Sequence, residues 1–232
     1  MNEDVSGRVL PYKLKTETEI IGDLQLQIQS LSNLNETIDE LFALLEHEGN
    51  PELLEKLCPY FGVIWPSARG LSEYLVKDVG GALLEGKSVL EVGCGLALPS
   101  LVAAKLGARV TAADFHPDIA VFLERNIRLN GARGLQFAAS DWQAEDSTLG
   151  LYDWVIGSDI LYEKQHPAPV ARTLARHTAP GGRILLADPG RPYLQAFADE
   201  MKQLGFSCEV LTRTVYDAPL MKDVFILKLF SG

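Results

Sequence analysis

From Lys87 onward the chain repeats one unit, a short apolar run followed by a turn and an amphipathic stretch, with the runs at 88–92, 109–114, 135–139, 154–158 and 183–188. Strands this short and apolar suit burial on both faces, and the stretches between them supply helices to cover those faces. The pattern predicts an α/β fold built on a largely parallel sheet. Two more runs, 207–215 and 224–230, are joined only by Tyr216-Asp217-Ala218-Pro219. That link is too short for a crossover helix, so the last two strands should pair antiparallel at the end of the sheet. A chain of 232 residues is expected to bury a single core.

Before this rhythm the sequence is organised differently. Between Tyr12 and Leu31, Leu24, Leu26 and Ile28 alternate with Gln25, Gln27 and Gln29, and Gly22-Asp23 can turn the chain. That reads as a hairpin with one wet face. Asn35 is placed to cap a helix with an apolar stripe of Ile38, Leu41, Leu44 and Leu45, ended by Gly49-Asn50-Pro51 and followed by a short helix at 51–57. Pro66 suits the first position of a further helix that carries Ala68, Leu71, Leu75 and Val79 on one face. The expected division is a hairpin and helical cover over 1–64 and an α/β domain over 65–232.

Charge narrows the partners. With 31 acidic against 21 basic residues the net charge is −10, and affinity for nucleic acid comes largely from cations on phosphates. Nucleic acid is therefore an unfavoured partner. Cys58, Cys94 and Cys208 are too few and too scattered for a disulfide framework or a zinc site, so no metal is expected and a reducing compartment is. No run approaches the ~20 apolar residues of a membrane span, and Met1-Asn2-Glu3-Asp4 lacks a signal pattern. A cytoplasmic location without membrane association is the expectation.

The chemistry concentrates at Glu91-Val92-Gly93-Cys94-Gly95, where a strand runs into a glycine turn and then into a helix started by Pro99. Glycines at 93 and 95 let a ligand approach the backbone. A dinucleotide fingerprint would need a third glycine where Leu98 stands, and Glu91 would repel a pyrophosphate. A ligand with an ammonium group suits the acid better, and S-adenosylmethionine carries one. Asp114, nineteen residues after Gly95 at the end of the second strand, is placed to accept hydrogen bonds from ribose hydroxyls. Asp141 and Trp142 follow the third strand, suited to the amino group and the face of an adenine. The alternative for Asp114 and Asp141 is simple capping of the helices that follow.

Together with the Pro180-Gly181-Gly182-Arg183 turn, these residues make the region from Lys87 to Phe230 resemble the class I, seven-strand S-adenosylmethionine-dependent methyltransferases. The resemblance implies a Rossmann-like, doubly wound sheet of order 3-2-1-4-5-7-6 with the last strand antiparallel. It also implies S-adenosylmethionine as cofactor, S-adenosylhomocysteine as product, and a cofactor set of Trp65, Glu91, Gly93, Cys94, Gly95, Asp114, Phe115, Asp141, Trp142 and Ser158. Asp159-Ile160-Leu161-Tyr162 after the fourth strand, and Trp65-Pro66-Ser67 before the core, are similar to the family 16 methyltransferases, most of which act on protein lysines. That likeness implies a protein as partner, with Asp159 positioning the acceptor amine and Tyr162 lining its channel. A small amine, a nucleic-acid base, a non-catalytic binding module and a nicotinamide dehydrogenase stand as the alternatives. The stretch Asp188-Pro189-Gly190-Arg191 is less basic than in those relatives. Arg191 is read either as a partner of Asp188 or as a contact for an acidic group on the substrate.

Overall fold

The alternation at the N-terminus folds as expected, into an antiparallel hairpin of β1 (Leu14–Ile21) and β2 (Leu24–Leu31) turned at Gly22 and Asp23. The computed structural model describes residues 12–47, 57–144 and 148–231. The stop at Gly49-Asn50-Pro51, the Met1–Asp4 start and, but for Leu57, the helix expected at 51–57 lie outside the described residues. Helix α1 (Leu34–His47) begins earlier than expected. Asn33, not Asn35, caps it: its side-chain oxygen accepts the Glu36 N–H at 3.2 Å, and its carbonyl accepts the Thr37 hydroxyl at 2.7 Å. Asn33 has the required loop position before the first turn, whereas Asn35 already lies inside the helix. Of the expected stripe, Leu45 is buried and Leu44 is exposed.

Helix α2 (Pro66–Tyr74) starts at Pro66 and continues as a π-helical turn, Leu75–Val79. Its Ala68, Leu71, Leu75 and Val79 are all buried, as the spacing predicted. A short α3 (Gly81–Leu84) leads into the sheet. There β3 (Ser88–Val92), α4 (Leu98–Lys105), β4 (Arg109–Asp114), α5 (Ile119–Asn130), β5 (Leu135–Ala139), β6 (Tyr152–Ser158), α6 (Pro167–Arg176), β7 (Thr178–Asp188), α7 (Leu194–Gln203), β8 (Phe206–Asp217) and β9 (Leu220–Ser231) follow in turn. The sheet order is β5-β4-β3-β6-β7-β9-β8, with β9 antiparallel to both neighbours. Counted from β3, this is the order 3-2-1-4-5-7-6 that the resemblance implied.

Four strands outrun their expected bounds, β6 by Tyr152 and Asp153 at its start. β7 starts at Thr178 because Thr178 pairs with Tyr152 before a register shift, so the Pro180-Gly181-Gly182-Arg183 segment lies within the strand. β8 and β9 keep pairing to Asp217 and Leu220, leaving Ala218 and a cis-linked Pro219 as the turn.

Alternating residues of the central strands feed opposite faces. Val89, Trp154, Ile156 and Leu185 pack in one apolar cluster, and Leu90, Val155, Ile184 and Leu186 in the other. The first cluster also takes in Ile21, Leu26, Ile28 and Leu31, so the hairpin shares the core of the sheet domain. Two asparagines one helical turn apart on α5 close the outer edge of β2. The Asn126 side chain accepts the Gln29 N–H at 2.8 Å and donates to the Gln29 carbonyl at 3.3 Å, while Asn130 does the same for Gln27 at 2.8 Å each way. A rise of about 6 Å over four helical residues nearly matches the two-residue repeat of about 6.8 Å along a strand. Helix α5 thus stands in for a third strand. On the other side Arg69 of α2 grips Glu19 through Nη2 at 2.7 Å and Nε at 2.9 Å, and Asp217 through Nη1 at 2.8 Å.

Candidate active site

The carboxyl ends of β3, β4, β6 and β7 open into a cavity of about 660 Å³, within the range of small-molecule sites. The glycine turn forms its floor. Gly93 has φ of 66°, and a Cβ there would lie 2.5 Å from Ile160 Cγ2 and 2.7 Å from Trp142 Cζ3. Gly95 has φ of 51° and faces the Phe61 carbonyl, 3.3 Å from where a Cβ would stand. Both positions demand glycine, for backbone conformation and for space together. Cys94 between them is buried, which pushes its thiol well above the ordinary value and leaves it neutral.

Asp114 lines the cavity and is organised by backbone donors. Its Oδ2 accepts the Gly95 N–H at 3.0 Å, and its Oδ1 accepts the Phe115 N–H at 2.7 Å. Burial raises its pKa against the pull of these donors. Oδ1 also takes the His116 N–H at 3.4 Å, so Oδ2 is the oxygen better placed to accept from a ligand hydroxyl. Phe115 and Trp142 also line the wall and meet edge to face, their ring centroids 6.4 Å apart. Trp65 and Ser158 complete the part of the expected cofactor set that reaches the cavity. The Trp65 indole N–H donates to the Tyr60 carbonyl at 2.9 Å.

Two residues of that set stand off the cavity wall. Glu91 is fully buried beneath the turn, where period-two alternation along β3 aims it at α4, and its Oε2 accepts the Ser100 N–H at 3.0 Å together with the Ser100 hydroxyl. Its Oε1 has no hydrogen-bond partner, and burial pushes its pKa up to about 8. Asp141 is exposed, and its Oδ1 accepts the Gln143 N–H at 2.8 Å, a local turn bond.

Asp159 and Tyr162 both line the cavity. Asp159 has φ of 59°, a left-handed conformation that is costly for a residue with a Cβ. Its Oδ2 accepts the Ser67 N–H at the start of α2 at 3.0 Å, and its Oδ1 lies 2.8 Å from Arg191 Nη1. Burial raises its pKa, while the Arg191 cation pulls it down. Arg191 Nη1 also pairs with the fully buried Asp188 at 3.0 Å, so its partner is both acids and not Asp188 alone. Tyr162 is 43% exposed and stands edge-on to His166 at 4.4 Å. Partial burial and the nearby acids push its pKa up to about 12, so it stays protonated.

Sequence reasoning missed several wall residues. Ile38, Cys58, Tyr60, Phe61, His116 and Glu163 all line the cavity. His116 stacks on Phe61 at 4.4 Å, and its Nδ1 accepts the Asp118 N–H at 3.2 Å, which leaves Nε2–H to donate to the Leu57 carbonyl. It joins the cover to the sheet domain. Its position two residues after Asp114 was the available signal. From the described part of the cover, the wall takes Ile38, Cys58, Tyr60, Phe61, Val63 and Ile64 and no residue of the β1–β2 hairpin. Among the described residues no group of three or more His, Cys, Asp or Glu could hold a metal, and no helix is long and apolar enough to cross a membrane.

The chemistry of this wall fits S-adenosylmethionine. It offers a glycine cradle, an acid at the end of the second core strand, aromatic faces, and three carboxylates against the single, already paired Arg191 guanidinium. Comparisons with known proteins agree. The chain is 32% identical over 166 residues to the protein N-lysine methyltransferase METTL21A of Danio rerio, covering 68% of this chain and 73% of that protein. It is 33% identical over 128 residues to the histone-arginine methyltransferase METTL23 of Rattus norvegicus, covering 50% and 56%. Among solved structures, the Thermus thermophilus 16S rRNA N2 G1207 methyltransferase, in complex with AdoMet and guanosine, overlays with a TM-score of 0.64 at 16% identity, covering 97% of this chain and 53% of that one. A family model described as lysine methyltransferase matches residues 59–203. With more than half its length inside that match, the chain belongs to the lysine methyltransferase family.

Proposed function

We propose that this methyltransferase transfers the methyl group of S-adenosylmethionine to the side-chain amine of a lysine in another protein. The observation that carries the reading is the joining of two sites in one cavity: the Gly93–Gly95 cradle with Asp114, and Asp159 with Tyr162 at the ends of β6 and its loop. Gly93, Gly95, Asp114, Phe115, Trp142 and Ser158 would hold the cofactor, with Trp65 set to cover a cationic group through its ring face. When bound, the cofactor supplies an electrophilic methyl group.

The chain's own residues must then deliver a neutral amine. A free lysine with pKa about 10.4 costs about 4.6 kcal/mol to deprotonate at pH 7. Tyr162, Trp65 and Phe61 provide an apolar, aromatic passage, and desolvation there favours the neutral form. Asp159 orients the amine by accepting its hydrogen bond, and the proton leaves to solvent. Among the described residues, those before Trp65 act as the cover and those from Trp65 onward as the transferring domain. All three cysteines are free, which supports a reducing, cytoplasmic setting.

Calorimetry with S-adenosylmethionine, using Asp114→Ala as control, tests the cofactor half. Labelled cofactor added to proteins from cells lacking this chain tests the acceptor half, with acid hydrolysis separating methyl-lysine from methyl-arginine. Methyl-lysine is the expected product. Likeness to the histone-arginine enzyme favours arginine as the second reading, and methyl-arginine alone would replace the first with it.

A further inference from the structure

The acceptor side of the cavity is held by a chain of charges that no single segment contains. Asp188 ends β7 and is fully buried, with its Oδ1 accepting the N–H groups of Gly190 at 2.8 Å and Arg191 at 2.7 Å. This turn orients the Arg191 side chain back across the strand ends, where Nη1 sits 3.0 Å from Asp188 Oδ2 and 2.8 Å from Asp159 Oδ1. The second oxygen of Asp159 takes the Ser67 N–H in the first turn of α2, directly after the cavity residue Trp65 and the helix-starting Pro66. Three elements of the wall therefore meet at one carboxylate.

We infer that Arg191 is a positioning residue for the acceptor site: it holds Asp159 in its left-handed arrangement, and through Asp159 it holds the start of α2 and the Trp65 wall. Two arguments carry this. A left-handed aspartate persists only where its surroundings over-determine it, and here Arg191, the Ser67 N–H and the Asp159 N–H bond to the Ala187 carbonyl at 3.0 Å do so. In addition, two buried carboxylates cannot share this corner as anions without a cation between them. Asp159 is thus a fixed hydrogen-bond acceptor and not a mobile base. The inference rests on the methyl-transfer reading for the meaning of the acceptor side, but its test needs no acceptor.

The charged groups that bear on Asp159 are Arg191 and Asp188 from the β7 loop, the N-terminal end of α2, and Glu163 four residues along its own loop. The test follows the Asp159 side-chain carboxyl carbon by NMR through a pH titration, assigned by Asp159→Asn, in the full chain and in Arg191→Met and Arg191→Lys. Arg191→Met should raise the Asp159 midpoint by about one pH unit or more, and Arg191→Lys by less. Calorimetric affinity for S-adenosylmethionine in Arg191→Met should gain a fall-off with decreasing pH that the native chain and Arg191→Lys lack. A midpoint in Arg191→Met within about 0.3 of a unit of the native one, or the same shift in both variants, would overturn the inference. Should Arg191→Met fail to fold, Arg191→Met with Asp159→Asn should melt higher than Arg191→Met alone, and a loss equal to the sum of the single changes would also overturn it. If these shifts occur while no lysine is ever methylated, the lysine reading falls and the role of Arg191 stands.

Discussion

At the glycine turn the cavity wall is backbone, whereas at the ends of β6 and β7 it is charged side chain. The first region is contiguous, a strand, a turn and a helix within residues 88–105, with Asp114 drawn in by the Gly95 N–H. The second gathers Trp65, Asp159, Tyr162, Glu163 and Arg191 from segments far apart in the chain. A backbone cradle tolerates almost no substitution at its glycines but leaves its neighbours free. A charge junction fails by degrees, according to which partner is removed and at what pH.

The largest effect should come from the cradle. Gly93→Ala puts a methyl group 2.5 Å from Ile160 Cγ2 at a positive φ, so cofactor binding should vanish in calorimetry and stability should drop by about 2–4 kcal/mol in denaturant unfolding. A variant that still binds the cofactor would erase the contrast. Asp114→Ala comes next. Losing a charged partner for two hydroxyls should weaken cofactor binding on the order of 100-fold or more, measured against a native-like circular dichroism spectrum.

Glu91 sharpens the comparison from beneath the cradle. Its pKa, pushed up to about 8 by burial, lies above its unfolded value, so the folded chain binds a proton that the unfolded chain has released. The stability this contributes is complete below the unfolded pKa of about 4.3 and is lost as pH rises toward 8, with a slope of up to about 1.4 kcal/mol per unit. Glu91→Gln should flatten that slope in unfolding titrations across the same window, and an unchanged slope would assign it to another group. The smallest effect on binding belongs to Tyr162→Phe. Cofactor affinity should stay within about twofold, since only a part-exposed hydroxyl is removed, while turnover on a lysine acceptor falls. Weakened cofactor binding instead would move Tyr162 to the other side of the comparison.

How far each region could be read from sequence follows from the same contrast. The strand–helix rhythm, the glycine turn and Asp114 depend on patterns within single strand–turn–helix units, and these were legible; the sheet order came only with the family resemblance that those residues carry. Glu91 was misplaced at the cavity because a motif gives spacing but not which face of a buried strand a residue occupies; the alternation along β3 sends it to Ser100. Asp141 met a competing local bond to Gln143. Arg191 could be matched to Asp188 three residues away, but its pairing with Asp159 depends on how the turn after β7 folds the guanidinium back across the strand ends, which neither spacing nor strand order gives. The helix cap slipped from Asn35 to Asn33 because both positions carry asparagine, and only the observed first turn decides.

The asparagine ladder beneath the hairpin has a mechanical meaning. Hydrogen bonds from Asn126 and Asn130 index β2 to α5 in steps of two residues, so the hairpin cannot creep along the helix; it must stay in gear or disengage. Tyr12 adds a pin at the other end, donating its hydroxyl to Asp118 at 2.7 Å. Hairpin, α5 and the Asp114 corner from which α5 departs thus travel as one block. Amide exchange at Gln27 and Gln29, whose N–H groups the ladder holds, should therefore be slower than at Ile64 on the cavity wall.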